Sequence, residues 1–164
     1  MSGPGQLRLL LADEESTARL AGLLAASQPG PGVVYLGGDL GAGKSTLARA
    51  WLRSLGVAGT IRSPTYTLVE RYRLGESEAL HLDLYRIGSG AELEFLGLDE
   101  APAWLWLVEW PERGAGGLPP PDLEIGLEIS GTGREVVLRA GSEAGQGWLS
   151  ALAERGQLAG FPEP

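Results

Sequence analysis

One stretch constrains this chain more than anything else in it. Gly38-Asp39-Leu40-Gly41-Ala42-Gly43-Lys44-Ser45 satisfies the phosphate-binding pattern G-x4-G-K-[ST]. It follows Val33 to Leu36, a compact apolar run of strand type, and it precedes a segment with Leu47, Trp51 and Leu55 on one helical face, stopped at Gly56. Strand, glycine loop, helix is the context the pattern needs. Glycines let successive backbone N–H groups turn inward as an anion nest, the helix N-terminus adds its partial positive charge, and a Cβ at these positions would obstruct phosphates. Lys44 is then expected to bridge the β- and γ-phosphates and Ser45 to ligate Mg²⁺. Of 13 basic residues Lys44 is the only lysine, so arginine serves wherever a generic positive charge suffices. A mobile point charge on phosphate is a task for which arginine's planar fork is a poor substitute.

The rest of the chain supplies the elements of one α/β core. Leu7 to Leu11 reads as a short strand, and Asp13 can cap a helix carrying Leu20, Leu23 and Leu24. Ser63-Pro64-Thr65-Tyr66 reads as a loop, Thr67 to Leu74 as β-rich, and Gly75 to Ser77 as a turn into Ala79 to Tyr85. Ala91 to Leu96 fits a short helix. Trp104 to Val108 is uninterrupted apolar sequence, expected of a central strand covered on both faces. Leu123, Ile125, Leu127 and Ile129 alternate with polar or small residues, predicting a strand with one wet face that turns at Gly131 to Gly133 into Glu135 to Arg139. Trp148, Leu149 and Leu152 suggest a closing helix. The length of 164 residues and 43% hydrophobic content predict a single domain over 1–164, with 156–164 a flexible tail.

Composition excludes several chemistries. With no cysteine and one histidine, neither a disulfide framework nor a zinc site nor a thiol nucleophile can be built. A net charge of −8 opposes unaided binding to a polyanion, so any nucleic-acid role is expected to run through a partner. No apolar stretch approaches the roughly 18 residues of a membrane span, and no signal-peptide pattern opens the chain, so a cytoplasmic location with no membrane contact is expected.

A phosphate loop needs an acid at the end of a neighbouring strand to orient the metal and its waters, and two candidates exist. Glu109 follows the apolar run Leu105-Trp106-Leu107-Val108, the expected form for such an acid; an incidental strand-end carboxylate is the competing reading. Asp83 follows Leu80-His81-Leu82 on the face opposite the leucines, where an ordinary solvated carboxylate competes more strongly. His81 shares that face, and a structural role is favoured for a lone strand histidine. Thr65 sits in the loop position of a γ-phosphate sensor or of an ordinary turn. Guanine recognition through an Asn/Thr-Lys-x-Asp element needs a second lysine, which this chain lacks, so ATP is the expected nucleotide.

Beyond the phosphate loop, SPTYTLVE at 63–70, HLDLYR at 81–86, ELEFLGLDE at 92–100 and LVEWPERG at 107–114 together resemble the bacterial TsaE family. The resemblance implies a three-layer α/β domain of P-loop type with a mixed central sheet. It also implies an ATPase using ATP and Mg²⁺ in the threonylcarbamoyladenosine modification of tRNA. TsaD and TsaB are the implied partners, with TsaC supplying the activated intermediate and tRNA met only through the complex. Gly41, Ala42, Gly43, Lys44, Ser45 and Thr46 correspond to the family's phosphate cradle, Ser45 and Glu109 to its metal-linked residues, Asp83 to its other essential carboxylate, and Trp110 to the aromatic beside the metal. Glu14 and Arg134 align with nucleotide contacts. A small-molecule kinase is the rival reading; it would need an arginine-bearing lid, and the only lid-like stretch, Gly114 to Pro121, carries no charge.

Overall fold

Alternation and capping act as the sequence requires at the start of the chain. β1 (Gln6–Leu11) buries Leu7, Leu9 and Leu11, and the Asp13 carboxylate then accepts from the Ser16 backbone N–H at 2.8 Å, capping α1 (Glu14–Ser27). In this computed structural model, which describes residues 5–100 and 102–164, there follow β2 (Gly32–Gly37), α2 (Lys44–Ser54) and the hairpin β3 (Val69–Leu74) and β4 (Ser77–Asp83). Next come β5 (Ala103–Glu109), the hairpin β6 (Leu123–Ser130) and β7 (Gly133–Ala140), and α3 (Glu143–Ala153).

The seven strands form one mixed sheet in the order β1-β7-β6-β2-β5-β4-β3. The four inner neighbours β6, β2, β5 and β4 run parallel, while β7 and β3 run against their neighbours. β5 is thus an interior strand flanked by β2 and β4, as its unbroken apolar run requires. All three α-helices pack on one face, where Leu20, Leu47, Trp51 and Trp148 meet Val34, Leu36 and Leu107. Trp51 and Trp148 cross edge to face at 5.8 Å, a geometry worth about 0.5–1.5 kcal/mol beyond the area they bury. The opposite face, Leu80, Leu82 and Val108, is covered by Leu84, Ile87, Leu93 and Leu98 from 3-10 turns and loops.

Several local expectations shift. The segment 91–96 is a 3-10 helix, Gly90–Leu96, opened by a Ser89/Glu92 capping box. β3 begins at Val69 because Leu68 takes a left-handed φ of 69° and its N–H donates back to the Pro64 carbonyl. Ile129 is 59% exposed: β2 pairs with β6 only as far as Gly126, so Ile129 projects beyond the helix-covered part of the sheet. The segment 156–164 was expected to be loose, yet Phe161 is buried, the Arg19 guanidinium stacks over its ring, and the Leu10 N–H donates to the Pro162 carbonyl. Among the described residues no helix is long and apolar enough to cross a membrane.

Candidate active site

β2, β5 and β4 end at the same edge of the sheet, and each delivers one part of the site. Gly37 passes directly into the glycine loop, Glu109 is the last residue of β5, and Asp83, its register partner, is the last residue of β4. The carboxyl edge of parallel strands is where α/β sheets bind ligands. Because side chains alternate, Glu109 follows Leu107 and Leu105 onto the helix-covered face, and His81 and Asp83 follow Ala79 there too. All three therefore turn towards the start of α2.

The loop conformation is available only to glycine at its turning points. Gly38 has φ 134°, and a Cβ there would collide with the Leu127 carbonyl; Gly43, with φ 109°, is the N-cap of α2. That cap makes no side-chain hydrogen bond, so the first-turn N–H groups of α2 face the loop uncapped. Lys44 opens the helix and is only 5% exposed. Its Nζ donates to the Gly38 carbonyl and lies 3.9 Å from the centroid of the Trp110 ring. Among the described residues no carboxylate pairs with it.

Ser45 Oγ is 3.4 Å from both Glu109 oxygens, longer than the usual direct O–H···O bond of about 2.7–2.8 Å. Glu109 Oε2 is held instead by His81 Nε2 at 2.7 Å, with both residues almost completely buried. Asp83 accepts from the Tyr85 N–H at 3.0 Å and from Thr65 Oγ1 at 3.4 Å, and Thr65 is in turn 2.7 Å from Ser63 Oγ. Arg134 clasps the phosphate loop from behind: Nε donates to the Ala42 carbonyl at 2.9 Å, Nη2 to that of Gly41 at 3.2 Å, and Nη1 to that of Gly133 at 2.9 Å.

Gly41, Gly43, Lys44, Ser45, Thr46, Thr65, Asp83, Glu109 and Arg134 thus line one cavity of about 240 Å³, with Trp110 and Leu40 at its wall. Ala42 lies behind it, buried, with its N–H on the Asp39 carbonyl. Glu14 faces an adjoining cavity of about 340 Å³ that shares Gly43, Thr46 and Arg134 with the first. Strand order, not local pattern, ties His81 into the site. Its alternation with Asp83 was visible, but its bond to Glu109 depends on β4 lying beside β5, which no local pattern encodes.

The donor set fits a magnesium–triphosphate. An uncapped helix N-terminus, a buried ammonium with no counter-charge and a hydroxyl set off from a carboxylate are three features suited to phosphate oxygens and a hard cation. Among the described residues no three His, Cys, Asp or Glu side chains gather as a metal cage. A magnesium ion here would rely on Ser45 together with phosphate and water oxygens, the usual habit of Mg²⁺.

Comparison with known proteins adds an independent line. The family model described as threonylcarbamoyl adenosine biosynthesis protein TsaE matches residues 11–136. The tRNA threonylcarbamoyladenosine biosynthesis protein TsaE of Haemophilus influenzae is 41% identical over 123 residues, covering 74% of this chain and 78% of that protein. The protein of the same name from Bacillus subtilis is 37% identical over 139 residues, covering 82% and 86%. The crystal structure of Bacillus subtilis YdiB superposes with a TM-score of 0.74 at 28% identity, covering 90% of this chain and 94% of YdiB.

Proposed function

Given that this chain belongs to the TsaE family and so to tRNA threonylcarbamoyladenosine biosynthesis, we propose that it binds Mg-ATP in the 38–46 cradle and hydrolyses it to drive turnover of a TsaD–TsaB complex. The observation that carries the ATPase reading is Lys44: a buried lysine at an uncapped helix N-terminus, with no carboxylate partner among the described residues, is a charge kept for an anion. Gly41 to Thr46 enclose the phosphates, with Lys44 on the β- and γ-phosphoryl oxygens. Ser45 would hold Mg²⁺, which when bound would supply positive charge to the phosphoryl oxygens. Glu109, steadied by His81, orients water on the metal side. Asp83, fixed by Tyr85 and Thr65, faces the same space from the next strand and makes the Ser63 to Tyr66 loop responsive to occupancy. Glu14 and Arg134 border the adjoining cavity and complete the nucleotide contacts.

Arg134 is the one arginine lining the phosphate cavity among the described residues, and three of its nitrogens donate to backbone carbonyls. It supports the loop and is not free to act as an arginine finger, a device worth roughly 10³ to 10⁵ in rate. Hydrolysis by the chain alone is therefore slow, and partners accelerate it by supplying charge or by ordering the 63–66 loop. A chain of charge −8 leaves the tRNA to those partners. The kinase alternative finds no support in its lid candidate, because Ala115 to Pro119 line a separate groove beside the 3-10 helix Gly90–Leu96 and no residue of Gly114 to Pro121 lines the phosphate cavity. The test is steady-state phosphate release by the purified protein, alone and with TsaD and TsaB, with Lys44→Ala as the blank. Slow release that the partners raise is expected. Fast release indifferent to partners overturns the coupling, and no ATP binding overturns the site.

A further inference from the structure

We propose that His81 is the positioning residue of this site, a side chain that acts on the reaction through Glu109 by holding its carboxylate in the orientation that faces Ser45 and the metal side. The inference rests on the reading of Glu109 as the metal-side acid. A glutamate side chain has three rotatable bonds, and at the end of a strand nothing in its own backbone fixes where the carboxylate points. Here Oε2 receives the His81 Nε2–H at 2.7 Å, the short bond of the pair, while the Ser45 hydroxyl lies 3.4 Å from both carboxylate oxygens. His81 stands on β4 opposite Leu107, one pleat back from the Asp83–Glu109 pair, so it reaches the carboxylate diagonally across the sheet from below. Relative exposures of 2% and 3% keep water from substituting for the bond.

The other ring nitrogen sharpens the argument. Nδ1 is buried and has no hydrogen-bond partner among the described residues. An apolar side chain would fill this position between β4 and the start of α2 without leaving a buried polar atom unpaired, a defect that native interiors avoid. The ring therefore has a single polar use, its bond to Glu109, and packing alone does not account for a histidine at this position. Outer partners of this kind fix first-contact ligands in metal sites.

The experiment compares the wild type with His81→Phe, which keeps a flat ring, somewhat larger, and lacks the donor, and with His81→Gln, whose amide N–H lies the same number of bonds from Cβ as Nε2. Calorimetric ATP affinity is measured in Mg²⁺ and in EDTA, beside single-turnover phosphate release and melting temperature. Expected is an unchanged affinity in EDTA for H81F, with both its Mg²⁺-dependent gain in affinity and its release rate lowered roughly 10- to 100-fold, and recovery of most of that loss in H81Q. Should H81F melt early, His81→Asn replaces it, since its amide is too short to reach Glu109 and the same loss is expected. Full Mg²⁺ gain and full rate in H81F or H81N overturn the proposal, as does equal loss in H81Q, which would assign the effect to ring packing. If the wild type itself gains nothing from Mg²⁺, the reading of the site fails and this proposal with it.

Discussion

Lys44 Nζ lies 3.9 Å from the centroid of the Trp110 ring and at the same time donates to the Gly38 carbonyl. Both partners are neutral, so phosphate oxyanions outcompete them for the ammonium. Trp110 takes a left-handed φ of 57°, and its indole meets both Lys44 and the Tyr85 ring, whose centroid lies 4.9 Å away at a 57° tilt. Nucleotide binding should draw the cation off the ring and change the indole's emission. Titration with ATP is expected to change tryptophan fluorescence in the wild type, and Trp110→Phe, which leaves the buried Trp51 and Trp148 untouched, is expected to abolish the change. The same signal in Trp110→Phe would detach Lys44 from Trp110 in the bound state.

Lys44, Ser45 and Glu109 should separate by what each one loses. Lys44→Ala removes a charge-assisted contact and is expected to weaken ATP binding roughly 10- to 100-fold, in Mg²⁺ and in EDTA alike. Ser45→Ala is expected to weaken binding only in Mg²⁺. Glu109→Gln keeps the shape of the carboxylate and is expected to leave affinity in EDTA unchanged while phosphate release falls roughly 10²- to 10⁴-fold. Calorimetry with single-turnover release distinguishes all three, and an identical pattern in all of them would overturn the division between a phosphate-binding lysine and a metal-side serine and glutamate.

The parts of this site carried by local pattern were legible in the chain, and the parts carried by strand order were not. The glycine loop declares itself because it needs a fixed spacing between a strand and a helix, and Glu109 follows because four apolar residues precede it. Asp13 as a cap and β5 as an interior strand come from equally local rules. His81 was placed on the right face by alternation, but only the adjacency of β4 and β5 makes it a partner of Glu109. Arg134 comes from β7, at the far end of the sequence, and reaches the loop because β6 pairs with β2. Phe161 and Pro162 looked like tail because the pocket they fill is built by α1 and β1, some 140 residues earlier in the chain, judged by the 141-residue separation of Arg19 from its Gly160 contact.

Arg134 tests whether the loop is held or merely built. Its Nε and Nη2 bonds to the Ala42 and Gly41 carbonyls fix the cradle from outside before any nucleotide arrives. Arg134→Ala should leave the sheet intact and free the loop, costing about tenfold in ATP affinity, the size of one charge-assisted bond. Arg134→Lys offers one point charge where a fork spans two carbonyls, so it is expected to recover little. Hydrogen exchange at 41–43 should quicken in both variants; unchanged exchange and affinity would reduce Arg134 to a surface contact.

Asp13 links the stability of α1 to the neighbourhood of the site, since the next residue, Glu14, borders the cavity beside the phosphate loop. Its carboxyl is held below the usual 3.8, first by the Ser16 backbone N–H, then by the Ser16 hydroxyl, with Arg19 adding a smaller charge effect. A folded-state pKa lower than the unfolded one means that ionised Asp13 stabilises the fold fully above pH 3.8 and loses that contribution as the pH falls through the lower folded value. Asp13→Ala is therefore expected to melt about 2–4 °C below the wild type at neutral pH, as loss of a helix cap does in a chain of this size, and the gap should narrow once the pH drops below 3.8. Asp13→Asn keeps an oxygen that accepts the Ser16 N–H without titrating, so it should retain most of the neutral-pH stability and show no narrowing. A gap between Asp13→Ala and the wild type that persists unchanged into acid would mean that the cap works through shape alone, with no contribution from charge.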